Sequence, residues 1–193
     1  MEQIEAEIRR RRESTTLRWY PLRIFHSSLP RQRAIMETLN AESAVAETYV
    51  PQALIDAETQ KYAPALLNYI FVRISLLDLK QLKAQPRFGH LRYVMRFERD
   101  GEGRRLARIA HITDREMDNF RQVILHYNEQ VEYIQNNAFA FRPGQKVRIT
   151  EGTFAGIEGT LKSIRKHVCV IVALSGIMAV AITGIHRKHL AAV

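Results

Sequence analysis

The stretch Arg148–Ile164, RITEGTFAGIEGTLKSI, carries three glycines, Gly152, Gly156 and Gly159, with one aromatic, Phe154, between the first two. Each glycine adds unfolded-state entropy and removes a packing side chain, so strand interiors rarely hold that many. The flanking runs QKVRIT and GTLKSI read as strands. The glycines therefore shape a turn between two strands. A phosphate-cradling loop would open a helix, and neither G-x-G-x-x-G nor G-x-x-x-x-G-K-[ST] occurs in the chain.

Downstream, HVCVIVAL and IMAVAI continue the pattern of short strands, with a last turn at HRKHL. A run of short strands with glycine turns from Phe139 onward predicts a small β-barrel, because closing a sheet removes its exposed edges. The 18 uncharged residues from Val168 to Ile185 reach the length of a transmembrane helix candidate. Their β-branched content and the central Ser175-Gly176 turn signal predict two buried strands instead.

Upstream the pattern is mixed. Residues 1–17 form a charged extension without assigned chemistry. In RWYPLRIFH, Tyr20, Leu22 and Ile24 alternate as in a strand, with Pro21 marking an edge or a bulge. Ser27 or Ser28 caps a helix over LPRQRAIMETLNAES. ETYVPQALI and LLNYIFVRI read as strands, SLLDLKQLKAQ as a helix ended by Pro86, HLRYVMRF as a strand, and ERDGEGRR as a loop. TDRE supplies a capping box, Thr113 with Glu116, before Met117, Phe120, Ile124 and Tyr127 at amphipathic spacing. NEQVEYIQNN lacks a period and reads as a linker. The expected class is α+β, with an extension at 1–17, an α/β domain at 18–128, a linker at 129–138 and a barrel domain at 139–193.

The chain of 193 residues carries 29 Lys+Arg against 20 Asp+Glu, a net charge of +9, which favours polyanionic partners. Ten of the basic residues fall between Arg73 and Arg108, against four acids. Arg31, Arg33, Arg87, His90 and Arg92 are candidates for phosphate contacts that would give affinity without sequence choice. The single cysteine, Cys169, fits a reducing cytoplasm, and no apolar signal region opens the chain. With no second cysteine for a zinc site, no cofactor motif and no convergent acid–base groups, neither a metal nor an enzyme is expected.

In LLNYIFVRI, alternation sends Ile70, Val72 and Ile74 to one face and Tyr69, Phe71 and Arg73 to the other. The first set makes a core. The second either packs beneath a helix or loop or stands on an open face, and aromatics beside arginine are enriched at interface hot spots.

The order WY, YVP, NYIFV, YVMRF, a TDRE-capped helix and PGQKVRITEGTFAGIEG resembles the NusG family of transcription elongation factors, with an NGN domain followed by a KOW domain. ALLNYIFVRI, the basic HLRYVMRF strand, HSSLPRQ in place of the usual glycine-lysine-glutamate, and GIMAVAITGIHRKHL resemble the RfaH and UpxY-type antiterminators of polysaccharide operons. The resemblance implies an NGN sandwich and an SH3-like KOW barrel resting as strands. It also implies docking on the clamp helices of the largest RNA polymerase subunit, which suppresses pausing or premature termination. By the resemblance, Tyr69, Phe71 and Arg73 fall on an exposed clamp-binding face with Tyr93 beside them. A second polymerase contact falls near Lys80 and Lys83, where KQLK replaces the family's His-Thr-Thr-Thr run. The basic residues would meet non-template or upstream DNA. Phe154, with Gly152 and Gly156, matches the exposed loop tip that meets a ribosomal small-subunit protein or Rho. The alternative is an RNA-binding or ribosome-associated KOW protein.

Overall fold

The computed structural model describes residues 2–25, 28–56, 61–64, 68–126, 131–135, 144–164, 167–174 and 178–193. It is a mixed α/β protein with antiparallel sheets. Two compact units form, the first from Met1–Pro51 and Leu66–Ile112, the second from Gln52–Ala65 and Thr113–Val193.

The first unit opens with α1, Glu2–Thr15. Its sheet runs β2-β5-β1-β6, from β1 (Leu17–Arg23), β2 (Glu47–Tyr49), β5 (Tyr69–Ser75) and β6 (Arg92–Tyr93). Tyr20 pairs with Val72 and Leu22 with Ile70, so these side chains share one face and join Ile74 in the core. Helix α2 (Leu29–Asn40), capped by Ser28, brings Ile35 and Leu39 onto that face, and α3 (Leu76–Ala84) brings Leu79 and Leu82. Ser75 caps α3, accepting from the amide of Asp78 at 3.1 Å.

Several boundaries differ from the sequence expectation for local reasons. ETYVPQALI breaks at Val50-Pro51, because proline cannot donate to a ladder, and β3 (Gln52–Asp56) turns away to pair with β4 (Lys61–Pro64) in the second unit. HLRYVMRF splits into β6 and β7 (Met95–Arg99). ERDGEGRR is the tip of a hairpin with an additional strand, β8 (Arg105–Ile109): Asp100 accepts from the amides of Glu102 and Arg104 at 3.0 and 2.8 Å. Strand β1 is interior and not an edge. Pro21 is tolerated because β6 pairs only with Leu22 and Arg23, so no ladder partner stands beside the missing N–H on that side.

The second unit contains α4 (Asp114–Leu125), whose Met117, Phe120, Val123 and Ile124 are buried. The capping box forms as expected, Thr113 accepting from the amide of Glu116 and Glu116 accepting from the amide of Thr113 at 2.8 Å. Thr113→Ala should lower the thermal stability of this unit by about 1 kcal/mol, the usual worth of an N-cap, read in a melting scan. Tyr127 lies outside the described residues.

The second unit's sheet runs β14-β10-β11-β12-β13-β9. Its strands are β9 (Val131–Gln135), β10 (Lys146–Ile149), β11 (Glu158–Ile164), β12 (His167–Leu174), β13 (Met178–Thr183) and β14 (Leu190–Ala192). The stretch read as a linker thus contributes a strand: Tyr133 pairs with Val180 and Ile134 with Ala179. Among the described residues β9 and β14 are the ends of an open order, so the ladder is not closed into a barrel. Val168–Ile185 contains two paired strands, Leu174 opposite Met178, as its β-branched content predicted. Cys169, Ile171 and Ala181 lie buried on one face, Val170, Val172 and Ile182 on the other, which explains a continuous apolar run. Among the described residues no helix is long and apolar enough to cross a membrane.

The glycine-rich turn resolves into distinct requirements. Gly156 has φ +89°, a conformation that side chains strain to adopt, and donates to Ile149 O at 2.7 Å. A Cβ on Gly159 would stand 2.6 Å from the carbonyl oxygen of Ile171, so that glycine lets β11 approach β12.

Candidate nucleic-acid interface

The first unit gathers cations around the segment Phe88–Leu91. Phe88 and Leu91 are buried, which anchors the segment and leaves Gly89 and His90 exposed between them. Lys83, in the last turn of α3, donates its Nζ to Phe88 O at 2.8 Å and Leu91 O at 2.5 Å. Arg92 donates Nη1 to Gly89 O at 2.5 Å. Two cations therefore hold the backbone that presents His90.

The electrostatics records the crowding. His90 is pushed below the ordinary imidazole value, first by desolvation and then by the charge of Arg31, with Lys83 and Arg92 adding to it and a backbone hydrogen bond at Arg87 opposing. Lys83 is lowered by desolvation and by Arg92. Arg31, on the first turn of α2, thus reaches the same cluster. Register adds one more member: Arg23 stands opposite both Arg92 and Tyr69, so the three share a row on one face of the sheet. The Arg23 guanidinium lies 5.6 Å from the ring centre of Phe25, which is 52% exposed. An exposed aromatic ring beside clustered cations is what a single strand of nucleic acid uses, phosphates on the charges and a base on the ring.

Of the basic candidates from sequence, Arg31, His90 and Arg92 come together. Arg87 lies next to them in the chain but is engaged locally, with Glu42 at 2.5 Å, Gln85 at 2.9 Å and the Phe88 ring at 5.0 Å. Arg33 is exposed on α2, and no contact among the described residues ties it to the cluster. Arg23 and Phe25 were missed by sequence reasoning. The strand alternation of RWYPLRIFH put Arg23 opposite the core face, which was the available signal.

The aromatic face is less open than the resemblance implied. Phe71 is fully buried, its ring 6.3 Å from that of Tyr49, and Trp19 and Pro21 on the same face are buried too. Tyr69 and Arg73 are half-buried at either side of it. Tyr93 does not stand beside them: it pairs with Leu22, which pairs with Ile70, and so lies on the core face, with Lys83 5.8 Å from its ring centre. Lys80 is exposed on α3, while Lys83 is spent on the Phe88–Leu91 segment. In the second unit Phe154 is 2% exposed and meets His126 edge to face at 6.4 Å, which corrects the expectation of an exposed loop tip. Gly152 and Gly156 are exposed around it.

No family model matches this chain, and no curated protein does. Among solved structures it is similar to one described as "Domain interaction in Thermotoga maritima NusG", at 18% identity and a TM-score of 0.41, covering 91% of this chain and 96% of that one.

With that likeness so distant, the site stands on its own residues, and His90 offers a direct probe. In the free protein its imidazole should take up a proton at lower pH than an ordinary histidine, because its neighbours are cations and its surroundings are partly desolvated. A bound polyanion reverses the sign of the local field, so adding a single-stranded oligonucleotide should raise the midpoint. A two-dimensional NMR titration of the imidazole with and without oligonucleotide checks both directions.

Proposed function

We propose that the chain is a transcription elongation or antitermination factor of the NusG kind, serving particular operons in the manner of RfaH and UpxY proteins. Under this reading residues 18–128 are an NGN-type domain that binds RNA polymerase at the clamp helices, and residues 139–193 are a KOW domain with a ribosomal or Rho partner. The factor works in the cytoplasm without catalysis. By binding the closed clamp better than the open one it shifts the polymerase toward the pause-resistant state, by no more than its differential affinity.

The observation that carries the reading is the gathering of Arg31 and Arg92 around His90, with Arg23 in register beside Arg92 and against exposed Phe25, within residues 18–128 whose motif order resembles the NGN domain. A factor seated across the polymerase cleft needs such a surface for the exposed DNA strand, and phosphate contacts supply affinity whatever the sequence.

The test is capture of RNA polymerase by the tagged full chain, followed by mapping of transcripts that shorten when the protein is absent. Tyr69→Ala with Arg73→Ala, two half-buried positions, should abolish capture, with an unchanged melting temperature as the check that the fold survives. Unchanged capture would overturn the clamp interface. Binding to structured RNA with no polymerase capture would replace the whole reading with that of a ribosome-associated protein.

A further inference from the structure

A second group of cations lies in the first unit, in an open cleft between β1, α3 and the β7–β8 hairpin: Arg18, Lys80, Arg96 and Arg108, with Glu98 as the one carboxylate lining it. The hairpin register sets which side chains take part. Arg96 and Arg108 stand directly opposite one another on one face, whereas Met95, Phe97 and Arg99 belong to the other. A like-charge pair at that spacing destabilises a ladder. Glu98 answers both guanidinium groups, at 2.7 Å to Arg96 and 3.2 Å to Arg108, which leaves this face with an excess of positive charge. On β1, Arg18 has its Nη1 2.5 Å from Nε2 of His111. A guanidinium only donates, so that ring nitrogen accepts, and the neutral imidazole positions Arg18 without cancelling its charge.

Helix α3 connects this group to the cluster around His90. Lys83 serves the His90 side, donating to Phe88 O and Leu91 O, and its pKa is lowered by desolvation and then by the charge of Arg92. Lys80 serves the cleft and lies three residues earlier, so the two side chains leave the helix as neighbours, about 5–6 Å apart at Cβ. The one acid of the helix, Asp78, is bonded to Ser75 Oγ at 2.6 Å. The hairpin gives a second connection. Arg92 and Arg96 are four residues apart, roughly 13 Å of extended backbone, which is about four nucleotides at ~3.4 Å each. In the other direction the cluster ends at Arg87, which Glu42 engages at 2.5 Å.

We propose that a single strand of nucleic acid bound at the His90 cluster continues past α3 onto Lys80, Arg18, Arg96 and Arg108, so that the two groups of cations form one phosphate track. The track rests on the His90 surface being a single-strand site, and it gives that site its length and direction. Phosphates on this path neutralise the opposed Arg96 and Arg108, and each one neutralised releases counterions.

The test is a fluorescence-anisotropy titration of the full chain, over a series of salt concentrations, with labelled oligothymidylates of ~4 and ~12 nucleotides, the shorter matching one cluster and the longer spanning both. The longer strand should bind at least ~10-fold more tightly, with a steeper fall of affinity with salt. Lys80→Gln with Arg108→Gln, both exposed, should weaken binding of the longer strand by ~10-fold or more and flatten its slope of log affinity against log salt by about 1.4, at about 0.7 for each lost phosphate, with an unchanged melting temperature. This variant should bind the shorter strand nearly as the wild type does, through the His90 cluster. Arg33→Gln with Arg99→Gln removes the same charge at exposed positions off the track and should leave the slope of the longer strand unchanged. Equal slopes for the two lengths, or a slope for the longer strand that survives loss of Lys80 and Arg108, overturns the track and leaves the His90 surface standing. Equal flattening by the Arg33 and Arg99 pair assigns the effect to overall charge and overturns the track as well. Binding of neither length overturns the His90 surface itself and the track with it.

Discussion

Phe71→Ala should destabilise the first unit by about 3–5 kcal/mol, the range for deleting a buried phenylalanine. Phe71 has no exposed surface, pairs with Pro21 on one side and Tyr49 on the other, and sits at the centre of the β2-β5-β1 ladder. Removing the ring leaves a void beneath a sheet already buried on its opposite face by Ile70 and Val72. Against a total domain stability of about 5–15 kcal/mol, that loss leaves a substantial unfolded fraction. Trp19 is the sole tryptophan, 2% exposed and paired with Arg73, so its fluorescence in a urea titration reports this unit directly. Tyr69→Ala, at the half-exposed start of β5, should cost only about 1 kcal/mol. A cost below about 1 kcal/mol for Phe71→Ala would mean that the face is open after all, since only exposed side chains are so cheaply removed. The distinction matters for any binding assay. A Phe71→Ala protein that fails to capture polymerase has lost its fold, whereas a Tyr69→Ala protein that fails has lost a contact.

What the sequence made legible follows from where periodicity is strong. The alternation of Tyr20, Leu22 and Ile24 against Ile70, Val72 and Ile74 located the core face of the first sheet, and TDRE located the start of α4 to the residue. β-branched content separated the strands of Val168–Ile185 from a membrane helix. Strand β9 was illegible because VEYIQ does not alternate, its Glu132 and Gln135 standing three apart, and it gains its apolar partners only by pairing with β13. Strand β8 was hidden because RLARI is largely exposed, and no burial pattern marks it. The candidate site was half legible. Charge density pointed to Arg31, His90 and Arg92, but local alternation could not show that Tyr93 lies on the face opposite Tyr69. That depends on β6 pairing with β1 at Leu22 and Arg23, a register set by tertiary structure. Exposure was the least legible property, since Phe71 and Phe154 are covered by groups distant in sequence from the strand and turn that carry them.

Reversing two charges of the His90 cluster, Arg31→Glu with Arg92→Glu, should weaken binding of a single-stranded oligonucleotide by on the order of 100-fold or more at low salt. Each phosphate contact in water-like dielectric is worth about 1 kcal/mol, and a reversal both removes the attraction and adds a repulsion of similar size. Counterion release gives a second, independent reading. Each neutralised phosphate on a single strand contributes about 0.7 to the slope of log affinity against log salt, so losing two contacts should flatten that slope by about 1.4. Arg33→Glu with Arg99→Glu makes the same change in net charge at exposed positions that no contact among the described residues ties to the cluster. If the two pairs weaken binding equally, attraction comes from the overall charge of +9 and the cluster is not a site. If only the first pair flattens the slope, the contacts are local. Phe25→Ala then separates stacking from charge: it should lower affinity while leaving the slope unchanged, because a ring releases no counterions.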